Sequence, residues 1–511
     1  MKRVFRNKRA STVIVMLLAI FILTITNYTK VLQGGDITTR NLYGNSEGLV
    51  YNEMILSYDA EYEQKYGLSD MYPYNGTYEG GLTDEVLHFE RGYCTTDTVI
   101  AVVENEVTRY EYVPGNTIIF FNGTRADIIE SETRDGYIFA KYDSDKIFSF
   151  KEQDDLKYVC IYNNEQDRYM PVGDAVEYES QIGLQGMIFK SFPKSWSLNQ
   201  AVNVYKVVLA LLYGIVLSFI CYGIYKKYNL RFALVFYVVT LLSPWMIGYS
   251  TNLYWVEFTW FLPTLIGIYC ANNIESQKAR VISYVGVMAA IFIKSACGYE
   301  YISTIMMGAI VFLLTDLTVA LLERKDKAVI LRLFKTIFVI GIFAILGFVI
   351  ALLCHGYMRG DGNIYYGLRA IYYNDVLRRT HGDPNMFQGV YADSLNASVI
   401  RVVLRYLIFD TPVIWGVPGL LFIPLIMVSF FVLVYGVWKK KNEKDMLVLY
   451  IWMGIASVSW FVLGKSHSYI HTMMNFVMWY FGFIQIMFYS IIEAGYHFIK
   501  RKSISDIKKE Q

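Results

Sequence analysis

Ten apolar runs separated by short polar breaks set the pattern of this chain. The first covers 12–25. The others lie near 202–225, 232–249, 252–271, 280–297, 301–321, 333–354, 412–437, 446–464 and 472–494. Each comes close to the ~20 residues needed to cross a hydrocarbon core of ~30 Å. Backbone inside lipid has to satisfy its own hydrogen bonds, so these runs predict helices. Residues 28–200 contain no such run. From Asp97 onward they read as strands instead, TVIAVVE, TRYEYV, NTIIFF, DGYIFAKY, KIFSF and KYVCIY, with PGN, NGT, RDG and NNEQD between them and alternation visible in EVTRYEYV and DGYIFAKY. Period-two alternation between turn residues predicts strands. The segment 28–90 is rich in Tyr, Gly and acidic residues and carries no assigned element.

The predicted fold is a polytopic α-helical membrane protein with about ten transmembrane helices and a mainly β domain inserted after the first. Its parts are 1–27 (basic terminus and first helix), 28–200 (β domain) and 201–354 (helices two to seven). An outer loop with an interfacial helix follows at 355–411, then helices eight to ten at 412–499 and a basic tail at 500–511.

Composition agrees with that pattern. Hydrophobic residues make up 54% of the chain and charged residues 18%, where a soluble domain is about one quarter charged. The net charge of +2 supplies no basic field for nucleic acid. The placement of charge says more. KKYNLR, SQKAR, ERKDK, KKKNEKD and KRKSISDIKK fall on alternate sides of the runs, together with Lys2, Arg3, Arg6, Lys8 and Arg9. That is the positive-inside pattern. It predicts a cell-membrane protein with both termini cytoplasmic and 28–200 extracytoplasmic. TNYTKVLQGG after the first run lacks a small-x-small cleavage site, which favours an uncleaved anchor. Cys94 and Cys160 are the two cysteines in non-membrane sequence. A disulfide between them suits an oxidising compartment, but spacing alone does not establish it.

This topology gathers ionisable residues on the outer face. Asp36 follows the first run, and Glu257 lies inside an apolar one. Lys294 and Glu300 flank a short outer turn. Lys465, His467 and His471 sit in GKSHSYIHT, and 355–411 supplies Arg359, Asp361, Arg378, Arg379, Arg401 and Arg405 among others. A charge in a membrane run faces a cavity or a partner, so Glu257 is either functional or ion-paired to Lys294 or Lys465. His467 and His471 are four apart, on one face of a continued helix. No HExxH or third ligand accompanies them, so proton transfer or phosphate binding suits them better than zinc. Arg401 and Arg405 share one side of an amphipathic segment, where guanidiniums bind phosphate oxygens or snorkel to headgroups. Carboxylates to take a hydroxyl proton, and cations to neutralise a departing phosphate, are what sugar transfer from a lipid phosphate requires. No cofactor is implied, although a divalent cation is compatible with the carboxylates.

A first membrane helix followed by Asp36, together with SPWMIGYSTNLYWVEFTWFLP (243–263) and GKSHSYIHTMMNFVMWYFGF (464–483), resembles the GT-C superfamily of membrane glycosyltransferases, in particular bacterial envelope-polysaccharide members. The resemblance implies a polyprenyl-phosphate-linked sugar donor and a glycan, glycolipid or protein acceptor at the outer face. It also implies Asp36 as base, with Glu47 and Glu53 after it. The family's first outer loop is modest, whereas here it exceeds 150 residues, which leaves Glu257 and Asp361 as alternative bases. Lys294, Glu300, Arg359, Asp361, Arg401, Arg405, Lys465, His467 and His471 are the expected substrate-binding set. An O-antigen-type polymerase or ligase also fits the Arg- and His-rich late loop. A transporter or flippase is a further alternative. Against it stand the lack of an inverted repeat, the few midplane charges, and no evident broken helices with Gly or Pro at matched positions.

Overall fold

The computed structural model describes residues 2–32, 37–58, 65–71, 76–79, 86–89, 93–95, 99–104, 108–120, 124–143, 158–170, 175–409, 411–440 and 444–510. It divides into two compact units, Gly44–Val207 and the remainder, Met1–Tyr43 with Val208–Gln511. The chain opens with α1 (Lys2–Thr29) and α2 (Ile37–Leu56). The second falls in the stretch left unassigned from sequence.

In the Gly44–Val207 unit, β1 (Ser69–Met71) pairs antiparallel with β11 (Ala175–Glu177), and β2 (Gly76–Glu79) with β3 (Val86–Phe89). A seven-stranded sheet contains β4 (Tyr93–Thr95), β5 (Val99–Val103), β6 (Thr117–Phe120), β7 (Arg125–Arg134), β8 (Tyr137–Tyr142), β9 (Tyr158–Asn163) and β10 (Arg168–Met170). Its order is β10-β9-β6-β7-β8-β5-β4. Every pairing is antiparallel, as the alternating segments predicted. Asp135 and Gly136 both take positive φ in the β7–β8 turn, the geometry that follows strand twist in a two-residue hairpin. Cys94 on β4 and Cys160 on β9 are not on neighbouring strands, and their side chains lie outside the described residues.

Two strand expectations change. TRYEYV forms a one-turn helix, α3 (Thr108–Glu111). Thr108, Glu111 and Tyr112 are buried while Arg109 and Tyr110 are exposed, a helical rather than an alternating spacing. KIFSF lies outside the described residues. Strand β7 was not expected, because its exposed positions carry Arg125, Asp127 and Glu130 and its apolar signal is weak.

Glu53 on α2 accepts from Ser69 Oγ at 2.8 Å and from Lys190 Nζ at 2.7 Å, and Glu47 lies 3.7 Å from Lys206 Nζ. Both carboxylates act as structural clamps within this unit. Helix α4 (Leu184–Phe189) meets the chain at Gly67. A Cβ on Gly186 would lie 1.6 Å from the Gly67 carbonyl oxygen. The obstacle is backbone, so a Gly186→Ala protein is expected to lose about 1–3 kcal/mol or more. A lowered thermal midpoint, with faster proteolysis inside 44–207, is the measurement that checks this.

The second unit is helical. It comprises α5 (Leu198–Lys227, entered from the first unit), α6 (Leu230–Leu241), α7 (Pro244–Ser250), α8 (Phe258–Asn272), α9 (Gln277–Cys297), α10 (Ile302–Gly308), α11 (Val311–Leu322) and α12 (Lys327–Arg359). After them come α13 (Ile364–Ile371), a π-helical turn (Tyr372–Val376), α14 (Leu377–Arg379), α15 (Val390–Asn396), α16 (Val399–Leu407), α17 (Phe422–Lys440), α18 (Lys444–Leu463), α19 (Lys465–Ile470), α20 (Thr472–Asn475) and α21 (Phe483–Glu510). Within it α1 packs closely. Tyr237 Oη donates to Ala19 O at 2.9 Å, and a Cβ on Gly214 would meet Thr24 Oγ1 at 3.0 Å.

Among the described residues six helices are long and apolar enough to cross a membrane, or up to nine if each bent pair counts as one span. A multi-pass helical membrane protein accounts for that set. The expected count of about ten is not established by the described helices. The run 252–271 yields only the 15 residues of α8, about 22 Å of helix. Three pairs are bent, by 70° between α6 and α7, 56° between α10 and α11, and 52° where Thr472–Tyr480 meets α21. Pro244 stands at the first break and Gly482, with φ 124°, at the third. Broken helices, not evident in the apolar pattern, are therefore a feature of the bundle.

Ion pairs mark one end of it. Lys227 meets Asp316 at 2.7 Å, Arg231 meets Glu493 at 2.9 Å, Lys444 meets Glu323 at 3.8 Å, and Arg332 pairs with Glu275. The opposite helix ends carry a different set of groups.

Candidate functional site

Glu257 occupies a deliberate break in the chain. Asn252 Oδ1 accepts from the backbone N–H groups of Tyr254 (3.0 Å) and Trp255 (3.2 Å), which turns the chain sharply. Val256 then takes φ 40°, a conformation that costs a β-branched residue energy. Glu257 follows immediately before α8 and is fully buried. Neither of its carboxylate oxygens has a hydrogen-bond partner among the described residues. No ion pair from Glu257 to Lys294 or Lys465 is found among the described residues: Lys294 Nζ donates to Gly298 O at 2.6 Å, and Lys465 Nζ to Leu395 O at 2.5 Å.

Aromatic rings pack around this break. Trp255 stacks on Tyr301 with centroids 5.5 Å apart, and Trp260 meets Tyr301 edge-on at 5.0 Å. Tyr249 lies 5.2 Å from Trp255 and 5.3 Å from Trp260. Trp255 Nε1, Trp260 Nε1 and Tyr213 Oη are buried and without partners among the described residues. A buried carboxylate beside several unanswered donors is costly for a core to hold.

Glu300 forms the next part. It is buried and accepts from Tyr254 Oη at 3.2 Å. The residue after it, Tyr301, has φ 67°. Both buried carboxylates therefore adjoin a non-glycine residue in the left-handed region, and such strain gathers at functional sites.

From Tyr301 the rings continue outward. Tyr301 meets Trp460 at 5.8 Å, Trp460 meets His467 at 5.9 Å, and His467 meets His471 at 4.7 Å. Helix α19 ends at Ile470 and His471 leaves helical geometry, yet the two imidazoles still come together as their spacing predicted. His467 Nδ1 contacts Asn475 Nδ2 at 3.3 Å. Burial, the adjacent His471 and the charges of Arg379 and Arg378 hold His467 well below the ordinary histidine range. Burial and Arg379 lower His471, and Glu300 opposes them. At neutral pH these imidazoles are uncharged and able to accept a proton.

The guanidiniums come from the end of α12 and from α14. Asp375 sits in the π-helical turn and is nearly buried. Arg359 on α12 pairs with it, and Arg378 and Arg379 approach it at 3.6 and 3.7 Å. Arg378 also lies 5.2 Å over the Tyr391 ring. Sequence reasoning named these arginines but passed over Asp375. The signal was present, since Asp375 has Arg at i+3 and i+4, but the extra residue of a π turn has no simple sequence mark.

Other expected residues stand apart. Arg401 and Arg405 do share one side of α16, but both lie over Tyr469, at 5.8 and 4.2 Å, and Arg405 donates to Tyr469 O at 3.0 Å. They brace the histidine connector. Asp361 is in the exposed turn after α12, with φ 49°. Asp36 lies outside the described residues. Among the described residues no group of three or more His, Cys, Asp or Glu could hold a metal ion.

Beside the cluster, α17, α18 and α21 enclose an apolar groove of about 680 Å³, lined by Phe430, Tyr450, Ile451, Ile455, Val458 and Phe483 among others. His381 lies at it, with Nε2 2.8 Å from Val462 O, two residues beyond Arg379. The arrangement joins buried carboxyl groups, two neutral imidazoles, a group of guanidiniums and an apolar groove. No protein-family model, curated protein or solved structure matches the chain.

Proposed function

We propose that this chain is a membrane glycosyltransferase. It moves a sugar from a polyprenyl-phosphate-linked donor to an envelope glycan, glycolipid or protein acceptor at the extracytoplasmic face. The observation that carries this reading is the buried, unpartnered Glu257 carboxylate at a strained break, connected through aromatic rings to the His467, His471 and Arg378–Arg379 group. Ion-paired basic residues at the other helix ends support this orientation, since basic loops favour the cytoplasmic side.

In this reading the acceptor hydroxyl attacks the anomeric carbon. The bond from that carbon to the phosphate oxygen breaks, and the hydroxyl proton passes to a carboxylate. Glu257 and Glu300 are the carboxylates placed for it, and Asp36 keeps the role that the family resemblance implies. The leaving group is a lipid phosphate, whose charge guanidiniums neutralise in a water-poor site. Its hydrocarbon chain suits the apolar groove beside His381. Polymerisation or ligation of a lipid-linked glycan would use the same groups.

The three bent helix pairs favour a second reading, since discontinuous helices line the substrate sites of many transporters. One pair of measurements separates the two. Deleting the gene is expected to remove or truncate an envelope glycan. Proteoliposomes containing the protein are expected to move no glycan precursor without transferring its sugar. Precursor flux with an unchanged glycan would instead establish the transporter.

A further inference from the structure

We propose that Arg378, Arg379 and His471 form the seat of an anionic phosphoryl group, and that Asp375 is the positioning residue that gathers its guanidiniums. The proposal deepens the glycosyl-transfer reading and rests on it for the source of the phosphate, but its geometry stands independently. Arg378 Nε is buried without an acceptor among the described residues, and Arg378 reaches Asp375 only at 3.6 Å, beyond hydrogen-bond length. A planar guanidinium holding an unanswered donor is a prepared partner for a phosphate oxygen.

Three guanidiniums converge on one carboxylate here, because the π turn sets Asp375 on the same face as Arg378 and Arg379 while Arg359 enters from α12. Holding like charges together is unfavourable without an anion between them. Asp375 supplies part of that anion, and the unanswered Arg378 Nε is where a ligand phosphate adds to it. The charges of Arg378 and Arg379 both bear on the buried imidazole of His467, and that of Arg379 bears on His471. Helix α14, which carries Arg378 and Arg379, packs on α19, which carries His467, so the guanidiniums and the histidines are neighbours. Arg401 and Arg405, the pair that spacing alone suggested for phosphate, are already committed to Tyr469.

The test is ligand binding by the full-length protein in detergent, followed as a shift of its thermal midpoint. The probes are a long-chain alkyl phosphate, the matching alcohol and inorganic phosphate. The alkyl phosphate is expected to stabilise the protein and the alcohol to have little effect. Arg378→Gln is expected to weaken binding about tenfold or more, the worth of one charge-assisted hydrogen bond, and Arg378→Lys to recover part of it. Asp375→Asn should weaken binding of the alkyl phosphate and also lower the midpoint without ligand, because it breaks a buried ion pair, and Asp375→Glu, which keeps the charge, should recover part of the binding. Inorganic phosphate binding as tightly as the alkyl phosphate, and still through Arg378, would support the seat while removing support for a lipid-linked donor. No binding of either phosphate by the parent protein, or equal binding by Arg378→Gln, overturns the proposal.

Discussion

A Glu257→Met protein is expected to be at least as stable as its parent and to lose most of its sugar transfer. Glu257 is fully buried, with both carboxylate oxygens unpartnered among the described residues. An unsatisfied buried polar group costs about 1–3 kcal/mol. Methionine has similar length and volume and no polar group to satisfy, so removing the carboxyl relieves that cost without opening a cavity. The thermal midpoint of the purified protein should therefore hold or rise. Activity should move the other way. A general base contributes roughly 10²–10⁴-fold to rate, so glycan production should fall by about that factor. Glu257→Gln keeps the shape and should lose the same activity with little change in midpoint.

The opposing directions are what make the result informative. If the methionine protein unfolds more easily, the carboxylate is holding the fold together, and its placement at the site loses its warrant. If it is more stable and fully active, Glu257 is neither base nor binder and the role passes to Glu300 or Asp36. The neighbouring backbone argues for a functional site. Val256 at φ 40° and Tyr301 at φ 67° each adjoin a buried carboxylate. Natural cores keep strain and unanswered polar groups chiefly where function requires them.

The membrane helices were legible from sequence because lipid imposes one rule along a whole run. The breaks were less so. Hydropathy averages over a window and passes smoothly through 243–257, yet Pro244, the Asn252 turn and left-handed Val256 divide that stretch. This is why 252–271 was expected to span and instead yields the short α8. In the other unit, short apolar segments between turn residues found β5, β6, β8 and β9, and the alternation in DGYIFAKY matches β8. It failed at Thr108–Glu111, whose apolar spacing over so few residues fits strand and helix alike. The candidate site was half visible. Glu257, His467 and His471 are conspicuous as ionisable groups in or beside apolar runs. The distances joining them run through Tyr301 and Trp460, rings from segments far apart in sequence, and no local pattern announces such contacts.

Close backbone contact extends that dependence to a glycine with no chemistry of its own, and Gly367→Ala is expected to disable the cluster. Gly367 on α13 faces Gly356 on α12, where an added Cβ would lie 1.8 Å from the Gly356 carbonyl oxygen. That atom is backbone and cannot rotate aside, so the two helices must separate. Arg359 lies on α12, and Asp375 lies in the π turn that continues α13. Separating the helices therefore pulls the Arg359–Asp375 pair apart and carries Arg378 and Arg379 with it. Overpacking costs about 1–3 kcal/mol, and a displacement of ~1 Å in positioning groups costs about a hundredfold in rate. Gly341→Ala, on the same α12 but with nothing within 4 Å of its added Cβ, is the matched control and should leave midpoint and glycan production near the parent's. A Gly367→Ala protein that matches this control in both would show that the Gly356–Gly367 contact does not set the position of the arginines.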